Sequence, residues 1–87
     1  MIIARNPQTA WRVIEGEAVI LSMDTKAFRG LNAVGSRVWE LIDGRRSLDE
    51  IAQVIVSEFA VAPEVAARDV RAFIEELLAK GLVTVAS

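Results

Sequence analysis

The chain has 87 residues, which allow one small domain and exclude a second hydrophobic core. Apolar residues make up 53% of the sequence and charged residues 25%, so the chain is expected to fold rather than to be intrinsically disordered. The lack of cysteine and histidine excludes disulfides, Cys/His zinc sites, thiol nucleophiles and imidazole catalysis, and a formal charge of -2 disfavours a dedicated nucleic-acid-binding protein.

No stretch of the sequence approaches the roughly 20 consecutive apolar residues of a membrane-spanning helix. The first residues, Met1–Gln8, lack the apolar core of a signal peptide. We therefore expect residues 1–87 to form a single cytoplasmic domain that requires no membrane and no cofactor.

Three short strands are predicted in the first third of the chain. Trp11–Ile14 and Glu17–Met23 flank Glu15-Gly16, where glycine can adopt the positive φ of a tight hairpin. Asp24-Thr25 provides a second turn signal, and Lys26–Leu31 follows as a strand at the edge of the sheet. The pattern predicts a small antiparallel meander.

Three helices are predicted in the remainder. Asn32 can cap the first, and Asp43-Gly44 ends it. Ser47–Glu50 matches the capping box that begins a helix. Pro63 suits the first position of the third helix, where its missing N–H costs nothing, and Lys80-Gly81 ends that helix.

The tail after the third helix, Leu82–Val85, is apolar and partly β-branched, so it forms a short strand or only packs on the core. The whole pattern predicts an α+β domain in which a three-stranded antiparallel sheet is followed by three helices. Two capped helices joined by Gly44–Arg46 and followed by a third resemble a helix-turn-helix core with the hairpins as a wing. The predicted fold is therefore winged-helix-like.

Paired carboxylates are one candidate set of catalytic or metal-binding groups in the sequence. They occur at Glu15/Glu17, Asp49/Glu50 and Glu75/Glu76. Adjacent residues on a helix point about 100° apart, and acidic residues in a first helical turn are explained by the helix dipole. We expect no catalytic or metal site here.

A small basic patch at Arg45-Arg46 and Arg37 keeps a second hypothesis open, that of a winged-helix DNA-binding module. The helix that would enter the major groove is the third one. Its acidic residues outnumber its basic residues by one between Pro63 and Lys80, and phosphate contacts normally supply much of the affinity for DNA. The charge balance disfavours this hypothesis.

The aromatic residues are predicted to have different environments. Trp11 and Trp39 are expected to pack in the core, because each can bury a large apolar area. In the third strand, the period of two places Phe28 on the face opposite Leu31. If Leu31 packs inward, Phe28 lies at the surface, where docking of a partner and ordinary packing are both open.

The third helix has more apolar surface than packing on one layer requires. One face carries Ala66, Val70, Phe73 and Leu77. The arc is extended by Val65, Ala67, Ala72, Ile74, Leu78 and Ala79. The tail or a second copy of the chain would cover this surface, or it would form a groove with the third strand in which a peptide pairs with the strand edge.

Short segments between Trp11 and Val83 also carry a family resemblance. They are Gly16–Val19, Leu31-Asn32, Val38–Gly44, Ser47–Ala52, Asp69-Val70 with Phe73, and Leu77 with Gly81-Leu82. In order and spacing the chain resembles the PqqD family, small proteins also described as RiPP recognition elements. The resemblance implies a sheet of three strands followed by three helices.

The resemblance implies a function and a site as well. The domain would be non-catalytic, would bind the leader segment of a ribosomally made precursor peptide as an added β-strand, and would deliver it to a radical S-adenosylmethionine enzyme or a leader peptidase. The peptide would contact the strand through Lys26, Ala27, Phe28, Arg29, Gly30 and Leu31, and the helix through Asp69, Val70, Ala72 and Phe73.

The pathway stays open. Quinone-pathway members carry a Pro-Glu-Gly turn where this chain has Met23–Thr25, and a cysteine in the block that reads Leu41–Gly44 here. A stand-alone member of a lasso-peptide or other modified-peptide cluster is an equal alternative. A third hypothesis is an oligomerisation or adaptor domain that forms a homodimer when its strand edge pairs with a second copy.

Overall fold

The computed structural model describes residues 1–86 and contains two small sheets and three helices. The strands are β1 (Ile3–Arg5), β2 (Thr9–Ile14), β3 (Glu17–Ser22), β4 (Phe28–Gly30) and β5 (Val83–Val85). The helices are α1 (Ala33–Leu41), α2 (Leu48–Phe59) and α3 (Pro63–Ala79). The predicted α+β class, with an antiparallel sheet β2-β3-β4 and three helices, is confirmed.

The β2–β3 hairpin forms because its turn has the backbone that the hairpin requires. Glu15 and Gly16 have φ angles of 52° and 81°, and positive φ at both central residues matches the right-handed twist of the flanking strands. β3 then pairs with β4, with Ile20 opposite Arg29. β4 is the last strand of this sheet, so one of its edges has no strand beside it.

A second sheet, β1-β5, was missing from the sequence prediction. β1 was not predicted at all, and the open question about the tail is settled because Val83–Val85 pairs with Ile3–Arg5 in antiparallel register. On its other side β1 is held by the α1–α2 connection, where Gly44 donates to the Ile3 carbonyl at 3.0 Å. Ile3 is fully buried between these partners.

The helices begin where the sequence predicts. The Asn32 side chain accepts a hydrogen bond from the Gly35 N–H, and Pro63 occupies the first turn of α3. Both bonds of the capping box are present, from Glu50 N to Ser47 Oγ at 3.2 Å and from Ser47 N to Glu50 Oε1 at 2.9 Å. Within residues 1–86, none of the helices is long and apolar enough to cross a membrane.

The prediction that both tryptophans lie in the core is wrong for one of them. Trp39 is fully buried, but the side chain of Trp11 is 39% exposed. Trp11 packs edge-to-face on Trp39 with 6.3 Å between ring centroids, and the Arg5 guanidinium lies 4.9 Å from the Trp11 ring centre. The helical layer contacts β3 through α1, so β2 lies at the margin of the core and keeps its tryptophan half in solvent.

The buried face of α3 also differs from the predicted one. Ile74 is fully buried, whereas Phe73 is only partly buried. The buried positions Ala66, Val70, Ile74 and Leu77 follow the helical spacing of three and four residues. Phe73 therefore lies at the flank of the packed face, where it remains accessible from outside.

Candidate functional site

The free edge of β4 can be assigned residue by residue from the hydrogen bonds at its two ends. Ser22 donates to the Ala27 carbonyl at 2.8 Å, and Leu31 donates to the Ala18 carbonyl at 2.8 Å. Backbone groups in an antiparallel pair point alternately toward and away from the partner strand. Every second residue from Ala27 to Leu31 therefore bonds to β3.

The intervening residues, Phe28 and Gly30, direct their backbone groups away from β3. Each has one N–H and one C=O on that side, and within residues 1–86 no backbone or side-chain group pairs with them there. Proline is absent from the strand, and its middle residue carries the only charge. Unpaired edges of this kind are templates for pairing with another extended chain.

A groove of about 490 Å³ lies beside this edge, between β4, α1 and α3. Its apolar lining includes Leu31, Val38, Ile55, Ala66, Val70 and Phe73. The polar groups at its margin belong to Arg29, Asn32 and Asp69. An apolar concave surface with a few polar groups is the usual form of a binding site.

Gly35 of α1 lies beside both the helix cap and the Phe73 ring at the groove wall. A Cβ atom at this position would lie 3.5 Å from Cζ of Phe73, which is an ordinary contact, and 3.1 Å from Oδ1 of Asn32, which is a tight one. Glycine therefore leaves the helix cap undisturbed. The ring stands at the groove wall instead of being covered.

An ion pair connects β4 to α3 at one end of the groove. Arg29 Nη2 lies 2.6 Å from Glu76 Oε2, and the two side chains are 28% and 40% exposed. Such partly exposed pairs contribute modestly to stability, about 0 to 1 kcal/mol. Their geometric effect is to hold the edge strand at a fixed distance from the helix.

The structure brings most of the predicted contact residues together. Those that line the groove are Arg29, Gly30, Leu31, Asp69, Val70 and Phe73. Leu31 packs inward and Phe28 is 71% exposed, as the period of two predicts. Phe28 meets the edge through its backbone, while its ring lies on the opposite face of the sheet.

Besides Phe28, three further predicted residues lie outside the groove. Lys26 precedes β4 in a turn with a φ of 62°, and Ala27 is exposed and directs its carbonyl toward β3. Ala72 is exposed on α3 but does not line the cavity. Their proposed contacts with a peptide remain predictions.

The sequence analysis missed the contribution of α1 and of the α2–α3 connection. Val34 is one of the regularly spaced apolar residues of α1, yet it is 38% exposed and lines the groove. Gly35 and Val61 line it too. The apolar spacing of Val34 was a signal, but it did not distinguish a groove wall from the core.

The protein's own tail does not fill the groove. Residues 83–85 pair with β1, and no residue of β1 or β5 lines the cavity. The tail therefore does not occupy the groove, although β5 does contact α3 elsewhere on the helix.

The basic patch is largely neutralised by neighbouring carboxylates. Arg37 forms a bidentate pair with Glu58, at 2.8 and 3.0 Å, and this hydrogen bonding lowers the pKa of Glu58. Arg46 lies 2.9 Å from Asp43. Hydrogen bonds from the backbone N–H groups of Arg46 and Arg45 hold the pKa of Asp43 below its ordinary value. In the part of the chain that the structure describes, no cluster of three metal-ligating side chains occurs.

Comparison with known proteins identifies relatives of this sequence. The family model described as coenzyme PQQ synthesis protein D (PqqD) matches residues 17–83. A PqqA binding protein of Gluconobacter oxydans (strain 621H) is 36% identical over 64 residues, which are 74% of this chain. The match spans 66% of that relative's length.

Solved structures with the same fold contain bound peptide. TbiB1 in complex with the TbiA(beta) leader peptide superposes with a TM-score of 0.86 at 32% identity, covering 92% of this chain and 93% of TbiB1. A lasso peptide synthetase B1 complexed with the leader peptide gives the same TM-score at 20% identity, covering 97% and 99% of the two chains. The second similarity concerns the fold alone.

Proposed function

The chain belongs to the PqqD family, and we propose on that premise that it is a non-catalytic protein that binds the leader segment of a ribosomally made precursor peptide. The peptide joins the sheet as a fourth strand beside β4. The observation that carries this proposal is the unpaired edge at Phe28 and Gly30 next to the apolar groove.

The energetics of this mode are sufficient for useful affinity. The two N–H and two C=O groups at Phe28 and Gly30 give up to four main-chain hydrogen bonds, each with a net value of about 1 kcal/mol. Each apolar side chain buried in the groove adds about 1.5 to 3 kcal/mol. After the cost of ordering the peptide, micromolar affinity remains.

In this binding mode the backbone and the side chains of the peptide have different roles. Side chains alternate between the faces of a sheet, so peptide residues opposite Arg29 and Leu31 point into the groove. Peptide residues opposite Phe28 and Gly30 point to the outer face. Specificity therefore resides in every second residue of the bound segment, while the hydrogen bonds supply sequence-independent affinity.

A modifying enzyme is the partner to which the bound peptide would be presented. The description of the family supports an enzyme of coenzyme PQQ synthesis, and the resemblance stated from the sequence leaves a lasso-peptide pathway as the alternative. A radical S-adenosylmethionine enzyme fits the first pathway and a leader peptidase fits the second. The peptide's residues outside the bound segment remain free to enter the enzyme.

The test uses the leader segment of the precursor peptide encoded beside the gene. Calorimetry is expected to give a dissociation constant in the micromolar range or below, and the backbone amide signals of Phe28 and Gly30 are expected to shift on titration. Val34→Asp, at an exposed position that lines the groove, is expected to weaken binding strongly, whereas Arg45→Ala, in the exposed α1–α2 connection, leaves it unchanged. Binding with no change at either amide would contradict strand addition.

Self-association is distinguished by sedimentation with and without peptide. The open edge of β4 would also suit pairing with a second copy of the chain. If the edge serves leader binding, the chain sediments as the same species at all concentrations, or peptide splits any dimer. A dimer that peptide leaves intact would assign this edge to another role.

A further inference from the structure

The polar groups at the groove margin differ in how fully the protein itself engages them. Arg29 is paired with Glu76 at 2.6 Å, and Asn32 Oδ1 accepts the cap bond from Gly35 at 2.8 Å. Among residues 1–86, the polar partner of the Asp69 side chain is its sequence neighbour Arg68, at 3.3 Å. The Asp69 and Arg68 side chains are 65% and 74% exposed, so this contact is weak and easily exchanged.

These groups occupy one line along α3. Residues four and seven positions apart lie on the same face of a helix, so Asp69, Phe73 and Glu76 succeed one another along the groove. Arg29 neutralises the Glu76 end. The other end keeps the negative charge of Asp69, about 10 Å away at 1.5 Å rise per residue. The groove is therefore apolar in the middle and electrostatically asymmetric.

From this arrangement we propose that Asp69 is a specificity-determining residue that binds a lysine or arginine side chain of the captured peptide. The inference rests on the proposed function and adds the charge of the preferred substrate. Asp69 is four residues from Phe73, about 6 Å along the helix. Inward-facing residues of an extended peptide are about 6.6 Å apart. The basic residue therefore stands two positions from the apolar residue that contacts Phe73.

The order of these two peptide residues reports the direction of the bound chain. Arg29 lies by Glu76, whereas Leu31, the residue after β4, lies by Phe73, because a Cβ at Gly35 would touch both Leu31 and Phe73; β4 therefore runs along α3 toward Asp69. In an antiparallel pairing with β4 the basic residue precedes the apolar one. In a parallel pairing it follows.

The test selects a library of random 12-residue peptides on the full chain. The wild-type pool is expected to be enriched in Lys or Arg two positions from an apolar residue. Asp69→Asn removes that enrichment, and Asp69→Lys replaces it with Asp or Glu. Glu75→Lys is the matched control, because Glu75 is exposed on the same helix and does not line the groove. Its pool should equal the wild-type pool.

A selected lysine peptide and its glutamate counterpart then give the size of the effect. Wild type should prefer the lysine peptide about threefold to fivefold, the upper part of the range for an exposed charge pair, and Asp69→Lys should reverse the preference. The selected peptides could show no charge preference and still bind Phe73→Ala more weakly than wild type. That result would overturn the role of Asp69 and leave peptide binding in the groove intact. A wild-type selection without enriched peptides would overturn the proposed function and this inference together.

Discussion

Two strands of this protein, β4 and β5, look alike in the backbone and differ in their surroundings. Each has three residues and pairs on one side only. In β5 the bonds from Asn6 N to Leu82 O and from Ala86 N to Ile2 O flank the strand, so the backbone groups of Val83 and Val85 point outward. The molecule thus has an open edge at β4 and another at β5.

Only the edge at β4 borders the groove. Residues of β4 line that cavity, and residues of β5 do not. Main-chain hydrogen bonds at either edge are equivalent, so they cannot direct a peptide to one of them. The side chains of α1 and α3 therefore distinguish the edge of β4 from the edge of β5, and each prediction below tests this distinction.

The largest effect is expected from removing the groove's aromatic wall. Phe73→Ala should weaken peptide binding about 30-fold, since a central apolar anchor contributes about 2 kcal/mol. Val65→Ala on the same helix is the control, because Val65 is exposed and does not line the groove. Calorimetry measures the peptide affinity of both variants. Equal losses of affinity would mean that the groove does not direct the peptide to the edge of β4.

A proline at each edge tests the backbone contribution. Gly30→Pro removes an N–H that points away from β3, and a Cβ at Gly30 would meet no atom within 4 Å, so the sheet should persist. Peptide binding should fall about fivefold, the value of one lost hydrogen bond of about 1 kcal/mol.

Val85→Pro makes the matching change at the edge of β5 and should leave peptide affinity unchanged. Circular dichroism confirms that both proline variants are folded. If Val85→Pro weakens binding as much as Gly30→Pro, the peptide does not bind selectively at the edge of β4, and the proposal is contradicted.

The Arg29–Glu76 ion pair connects β4 to α3 beside the groove. A double-mutant cycle with Arg29→Met and Glu76→Gln should give a coupling of about 0.2 to 1 kcal/mol in the free energy of unfolding, as for other partly exposed pairs. Urea unfolding of the four proteins measures it. A coupling of zero would show that the pair orients β4 without stabilising it.

The smallest effect is expected for stability at acidic pH, through the ion pair that joins α1 to α2. The Arg37 hydrogen bond lowers the pKa of Glu58, so its stabilisation is complete above the ordinary glutamate pKa and is lost as the pH falls through the lowered value. Glu58→Gln should therefore lose less stability than wild type on acidification, measured as thermal midpoints from neutral pH downward. Parallel curves for the two proteins would contradict this.

The parts of the structure that local interactions determine could be predicted from the sequence. The capping residues Asn32, Ser47 and Glu50 and the proline at Pro63 act within one helical turn, and all are found where predicted. The edge strand was also accessible, because a period of two separates Phe28 from Leu31 without knowledge of the rest of the chain.

The sequence was insufficient where distant segments meet. β1 has three residues and no repeating pattern, and its partner strand is about 80 residues away, so only tertiary contacts reveal it. The same applies to Val34, whose apolar side chain fits a core stripe or a groove wall equally well. Trp11 was misplaced because its exposure depends on how far the helices extend across the sheet.

The pairing of β1 with β5 has a consequence for the order of folding. Ile3 is synthesised about 80 residues before Val83 and Val85, the residues of β5 that lie opposite β1. Closing so long a loop has an entropic cost that local helices and hairpins do not bear. This isoleucine therefore stays exposed until β5 is available to pair with β1, so the interior of the protein is completed only by this long-range pairing.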